Sequence, residues 1–193
     1  MKATALAPVL LALSLGGCLS FGEKPPASLL TLTAAQPIPV GQTQTASSGT
    51  VTIATPSMTQ ELATLRVPVR TGETAVAYVK DTRWVEPPNR LFARLMSDAV
   101  TTRTGRVVIA TRLMGEPGAN LAGDLRSFGI DEPGSAAVVT FDALLQRDSG
   151  RPVEKRRFEA RVPVSPIDAT TVGPALNQAA NQVANEVADW IGR

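Results

Sequence analysis

The sequence predicts a single α+β domain in which a mixed or antiparallel β-sheet packs against two main α-helices, behind a signal peptide and a short tether. Three observations predict it. Apolar residues recur at helical spacing in two stretches, Leu91 to Val100 and Val172 to Ile191. Between them lie three runs of two-residue alternation, punctuated by Pro/Gly turn signals. No internal repeat or interdomain linker is visible after residue 28, and 193 residues suffice for one ordinary domain.

The elements follow in order. Residues 18–28, which hold Gly22, Pro25 and Pro26 without usable periodicity, read as a tether, and the domain spans 29–193. Ser28 to Thr33 alternates weakly as a first strand, and Gln36 to Gly49 is rich in loop residues. Thr50 to Thr55 alternates with Val51 and Ile53 on one face, Pro56 closes it, and Ser57 to Leu62 fits one helical turn. Leu65, Val67 and Val69 share a face, while Pro68 in the same run argues for an edge strand. Thr74 to Lys80 is a further strand. Pro88 opens a helix that Gly105 ends. Arg106 to Ala110 reads as a short buried strand, and Gly115-Glu116-Pro117-Gly118 breaks the chain. The runs Asn120 to Ile130, Ala136 to Arg147 and Arg157 to Val164 form an antiparallel meander through turns at Glu132-Pro133-Gly134 and Asp148-Ser149-Gly150. Phe128 falls out of phase with Leu121 and Leu125, which predicts a bulge. Asp168 to Arg193 is an alanine-rich helix with Val172, Leu176, Ala180, Val183, Val187 and Trp190/Ile191 in one stripe and Asn/Gln on the other face.

Composition narrows the chemistry. The chain has 19 Lys+Arg against 17 Asp+Glu, one cysteine and no histidine. Ser-His-Asp triads, Cys-His pairs and histidine metal sites are therefore excluded, and one cysteine forms neither an internal disulfide nor a Cys-rich metal site. A net charge of +2 is too small to imply nucleic-acid binding. No phosphate-cradling glycine motif or serine-nucleophile motif occurs. The acidic residues Asp81, Glu86, Asp124, Asp131 and Glu132 are scattered, without the spacing of a catalytic pair. No catalytic residue, metal site or cofactor is predicted.

The N-terminus is an address. Lys2 precedes an almost continuously apolar run from Ala3 to Leu15, which is shorter than the ~20 residues that a membrane-spanning helix needs. Leu15-Gly16-Gly17-Cys18 resembles the lipobox of bacterial lipoprotein precursors. The resemblance implies attachment of diacylglycerol to the Cys18 sulfur, cleavage between Gly17 and Cys18, and acylation of the new amino group. Residues 1–17 are then the signal peptide, and losing Lys2 leaves a nearly neutral mature chain of 18 basic and 17 acidic side chains. Leu19 is not aspartate, which by analogy with enterobacterial lipoproteins favours the outer membrane with the domain in the periplasm.

Two further patches stand out. Arg151, Lys155, Arg156 and Arg157 either meet anionic head groups or guard a solvated hairpin end. Arg83-Trp84-Val85-Glu86-Pro87-Pro88 places a tryptophan before a helix, fitting either a partner-facing anchor or a core plug at the sheet–helix junction. That segment also carries a resemblance. The lipobox, the Leu30-Thr31-Leu32 strand, Val51 to Pro56, Glu61-Leu62 leading into Arg66-Val67-Pro68-Val69-Arg70, and Trp84-Val85-Glu86-Pro87 opening a helix come in one order. The strand pair around Phe128 and Phe141 and an Ala/Asn-rich final helix complete it.

This order resembles the ABC-type transport auxiliary lipoprotein family, the PqiC-like group. The resemblance implies a non-catalytic, outer-membrane-anchored periplasmic subunit of an intermembrane lipid transport system. Its partners would be an MCE-domain protein and an ABC permease and ATPase, and it implies homo-oligomeric rings for some members. Trp84, Glu86 and Pro87 are carried over as partner-binding residues. The sequence departs from the family pattern at Leu30, where a tyrosine is usual, and before Arg66, where aromatic residues and an Asp/Arg pair are usual. A structural or regulatory lipoprotein at peptidoglycan or a peptidoglycan synthase is the alternative.

Overall fold

Three runs of alternation, the first broken by a phase shift, make the long strands, and their register organises the remainder of the chain. A computed structural model describes residues 28–45, 49–109, 118–147 and 151–192. The leader, Cys18, the tether up to residue 27 and the turn at Asp148-Ser149-Gly150 lie outside the described residues. In chain order the elements are β1 (Thr50–Ile53), β2 (Ser57–Met58), β3 (Arg66–Arg70), β4 (Val76–Arg83), α1 (Pro88–Thr104), β5 (Val107–Ile109), β6 (Ala119–Asp131), β7 (Ala136–Arg147), β8 (Val153–Pro163) and α2 (Val172–Ile191).

All eight strands form one mixed sheet. β6, β7 and β8 are the antiparallel meander. The other edge of β6 is occupied by three short strands laid end to end, all parallel to it: β1 at Ala119–Leu121, β2 at Asp124–Leu125 and β3 at Ile130–Asp131. β5 extends the sheet beyond β1, and β4 beyond β3. The expected bulge is present, because the β6–β7 register shifts between Leu125 and Ser127. Arg126 is the extra residue. Before it Leu121 and Leu125 point to the core, and after it Phe128 and Ile130 do.

Both helices cover the same face. Arg103 in the last turn of α1 meets Asp189 in the last turn of α2 at 2.6 and 2.8 Å, so the helices run parallel with their N-termini at one pole. α1 begins at Pro88 and stops at Gly105, whose φ of 67° is the left-handed conformation that glycine adopts without strain. The predicted stripe of α2 is buried throughout. Arg147 at the end of β7 donates to the carbonyls of Trp190 and Ile191 at 2.6 and 2.9 Å, capping α2 where its dipole favours a cation. Edge-to-face contacts tie the layers together: Trp84–Phe128 at 5.3 Å, Phe92–Phe128 at 6.1 Å and Phe92–Phe141 at 5.5 Å between ring centroids. Pairs of this kind add about 0.5–1.5 kcal/mol beyond area burial.

Several expectations are corrected. Ser57–Met58 is a two-residue strand, because the free edge of β6 offers ladder partners that one helical turn cannot match. β3 lies between β4 and β6, so Pro68 is in an interior strand. Pairing of β3 with β6 is recorded from Val69 onward, and the β3–β4 register shifts beside Pro68, so the missing N–H falls where the ladder is irregular. β5 is half-buried at the sheet edge instead of fully buried. α2 starts at Val172, since Asp168 spends its carboxylate on the turn before it, accepting from the Thr170 and Thr171 backbone N–H groups.

Gly129 explains how Pro68 is accommodated. A Cβ there would stand 2.4 Å from the Pro68 carbonyl oxygen and 2.8 Å from its ring, so the two strands meet only through a glycine. Gly129→Ala is expected to destabilise the domain by about 1–3 kcal/mol through overpacking. Gly72→Ala, with nothing within 4 Å of the new methyl group, is expected to be near neutral. Urea unfolding of the two variants checks the difference.

Candidate functional site

The Trp84 segment is a junction. Trp84 is 1% exposed, packed on Phe128 beneath the start of α1, and its indole N–H has no hydrogen-bond partner among the described residues. Its side chain therefore has no area to offer a partner, which answers the sequence alternatives in favour of the core plug. Glu86 pairs with Arg94 two turns into α1, and that guanidinium holds its carboxyl below the ordinary range. Pro87 is the half-buried N-cap residue. Glu86 and Pro87 thus build the first turns of α1.

The chain reaches this junction along a strap that sequence reasoning reads only as a weak strand. The Leu30 N–H donates to the Arg83 carbonyl at 2.8 Å, and the Val85 N–H donates to the Leu30 carbonyl at 2.9 Å. Beyond it the strap is held by α2: the Thr33 N–H donates to Asn177 Oδ1 at 2.9 Å and the Ala35 N–H to Asn181 Oδ1 at 2.8 Å, while Asn181 Nδ2 donates to the Thr33 carbonyl at 3.0 Å. Asn181 is 9% exposed, so it does not lie on the solvent face that the helical stripe assigns to Asn and Gln. Asn177 and Asn181, four residues apart, read the strap as a third strand edge would. That spacing was the available signal.

The opposite sheet face carries the polar chemistry. A cleft of about 190 Å³ lies over Pro68, Gly129, Val138 and Thr140, rimmed by Val76 and charged side chains. Those charges are matched: Arg70 pairs with Glu61 at 3.1 Å, Arg161 with Asp131, and Thr140 Oγ1 donates to Glu159 at 2.8 Å. The scattered carboxylates do not converge as a catalytic pair. Asp124 accepts from Ser57, Asp131 binds Arg161, and Glu86 binds Arg94. Asp98 is pushed up by burial, with Arg94 opposing, but the hollow it lines with Leu32, Ala34 and Leu95 holds no second carboxylate. Among the described residues, no group of three or more Asp, Glu, His or Cys is placed to hold a metal.

The basic cluster is largely spent within the sheet. Arg157 grips Asp142 through two bonds of 2.5 and 2.7 Å, and Arg156 lies 4.8 Å over the Phe158 ring. β8 pairs with β7 alone, so these residues lie along a sheet edge that charge protects from further pairing. Asp142 is 6% exposed. The Arg157 hydrogen bonds hold its carboxyl below the ordinary value against the opposing effect of burial, with attraction from Arg157, Lys155 and Arg126 in support. A depressed carboxyl pKa adds stability above the unfolded value near ~3.9, and that stability is lost as pH falls through the folded value. The stability gap between wild type and Arg157→Gln should therefore be widest at neutral pH and close below about pH 4, measured by urea unfolding across pH.

Comparison with known proteins follows the same lines. The model of a family described as ABC-type transport auxiliary lipoprotein component matches residues 30–188. The crystal structure of protein XCC0632 from Xanthomonas campestris, of the DUF330 family, has a TM-score of 0.71 and 23% identity, covering 86% of this chain and 94% of that one. A crystal structure of an uncharacterized protein has a TM-score of 0.67 and 15% identity, covering 85% and 99%. Both show the same fold. No curated protein matches. Among the described residues no helix is long and apolar enough to cross a membrane. From the strap at Leu30 to the last turn of α2, the chain belongs to the ABC-type transport auxiliary lipoprotein family.

Proposed function

We propose that the chain is the lipid-anchored, non-catalytic auxiliary subunit of an ABC system that moves phospholipid between the two membranes of its bacterium. One observation carries the reading: the family match begins at Leu30, only twelve residues after a lipobox cysteine. In this reading residues 1–17 are removed, Cys18 carries the acyl chains, and the domain stands in the periplasm on the outer membrane. Two or three acyl chains give stable anchoring where one is marginal. The partners are an MCE-domain protein with its permease and ATPase, and the subunit assembles with them as a fixed part, alone or as a ring of copies.

Rigid pairing of the polar side chains supports a scaffold role over catalysis. Charges held by partners within the chain are poor acids, bases or nucleophiles, but they make a surface of defined shape. We assign partner contact to the sheet face carrying the 190 Å³ cleft, where Pro68 and Val138 form an apolar floor inside a charged rim. Such a core-and-rim arrangement is what a specific interface uses.

The full chain expressed in its own bacterium should co-purify with an MCE-domain protein when the anchor is intact. Val76→Asp, on the cleft rim and 39% exposed, should cut that recovery several-fold while leaving the unfolding midpoint unchanged. Cys18→Ala should accumulate as an unprocessed precursor about 17 residues longer than the mature chain by mass spectrometry. Recovery of no MCE partner from the anchored wild type would count against the transport reading.

A further inference from the structure

The strap delivers the anchored end of the chain to the pole where both helices begin. Leu30 packs on Gly173 at the start of α2, where a Cβ would stand 2.8 Å from the leucine Cδ2, and it brackets the residues that lead into α1. Three exposed large hydrophobic side chains stand on backbone segments that meet at this pole: Leu29 at 51%, Leu65 at 39% and Val85 at 49%. Their backbones adjoin, since the Val85 N–H donates to Leu30 and the Trp84 N–H donates to the Leu65 carbonyl at 2.7 Å. Arg66, next to Leu65 in the chain with its guanidinium 4.4 Å over the Tyr78 ring, and Arg90 in the first turn of α1 are both exposed.

Chain connectivity leads from this pole to the lipobox cysteine. Eleven residues, 18–28, join the lipobox cysteine to Leu29, and they span at most about 40 Å when fully extended. The opposite pole, with Val153 and the Arg151 to Arg157 cluster, lies near the C-terminus of α2, a helix of 20 residues or about 30 Å. The pole bearing exposed leucine and valine is thus the one where the anchored chain enters the domain, and the more basic edge is the far one.

We propose that the helix N-terminal pole is the face that the domain lays on its own bilayer. Leu29, Leu65 and Val85 enter the boundary between head groups and acyl chains, and Arg66 and Arg90 meet lipid phosphates. Apolar side chains flanked by cations match an anionic lipid interface, with an apolar layer beneath a negative one. The docked pole fixes the orientation of the domain, so the sheet and its cleft are presented at a set angle instead of swinging on the tether. This rests on lipid attachment at Cys18.

The chain has a single cysteine, and its sulfur is blocked once lipidated, so an introduced cysteine is the sole free thiol. The test uses the lipidated mature protein in vesicles of phosphatidylethanolamine and phosphatidylglycerol, carrying Leu29→Cys, Leu65→Cys, Val85→Cys or Val153→Cys with a nitroxide label. Labels at positions 29, 65 and 85 should collide several-fold more with dissolved oxygen than with a water-soluble nickel chelate, and the label at 153 should show the reverse. Protein that floats with the vesicles while all four labels stay equally aqueous overturns the proposal and leaves the anchor standing. Protein that fails to float removes the anchor and this proposal with it. Shielding of 29, 65 and 85 only on addition of an MCE partner, or only at high surface density of this chain, also overturns it.

Discussion

The double-sided pairing of β6 governs the rest of the fold. One edge of this strand carries β7 along its whole length, and the other carries β1, β2 and β3 in succession. Every buried N–H and C=O on β6 must find a partner, so three short segments are drawn into line along it. Ser57–Met58 is the clearest case, a two-residue strand that exists because β6 passes beside it. The bulge at Arg126 is the other half of the constraint. Without it Phe128 would face solvent, and its ring contacts with Trp84 and Phe92 would be lost.

From that centre the functional surfaces follow by geometry. Trp84 is held against Phe128, and the backbone on either side of it takes the strap at Leu30 and the loop at Leu65. The Trp84 segment is therefore a clasp that joins sheet, first helix and incoming chain. Its tryptophan packs in the core, and its glutamate and proline shape the helix start. The sheet face away from the helices is left with matched charges around a small apolar floor, a surface with shape and little reactivity.

Most of the fold was legible in the sequence because period and punctuation agreed. β7 and α1 have the predicted bounds, and the meander and the Phe128 phase shift follow from alternation alone. Pro68 misled because a proline is normally excluded from interior strands, and here a glycine sixty-one positions away makes the room. Asn181 misled because side-chain polarity was read as exposure, although a buried amide is stable wherever a backbone donor and acceptor meet it. Asp142 was hidden in the same way by its pairing with Arg157 across the β7–β8 ladder.

The sequence by itself determined the fold class: one domain without histidine, and the spacing that makes two helices and a meander. These are properties of composition and local period, which need no knowledge of what lies across the sheet. Tertiary structure alone decided that Trp84 is inside, that the basic cluster and the strap occupy opposite poles, and that the backbones carrying Leu29, Leu65 and Val85 adjoin. Those facts depend on register and on the parallel run of α1 and α2, where residues far apart in the chain are brought together by pairing that no local pattern encodes.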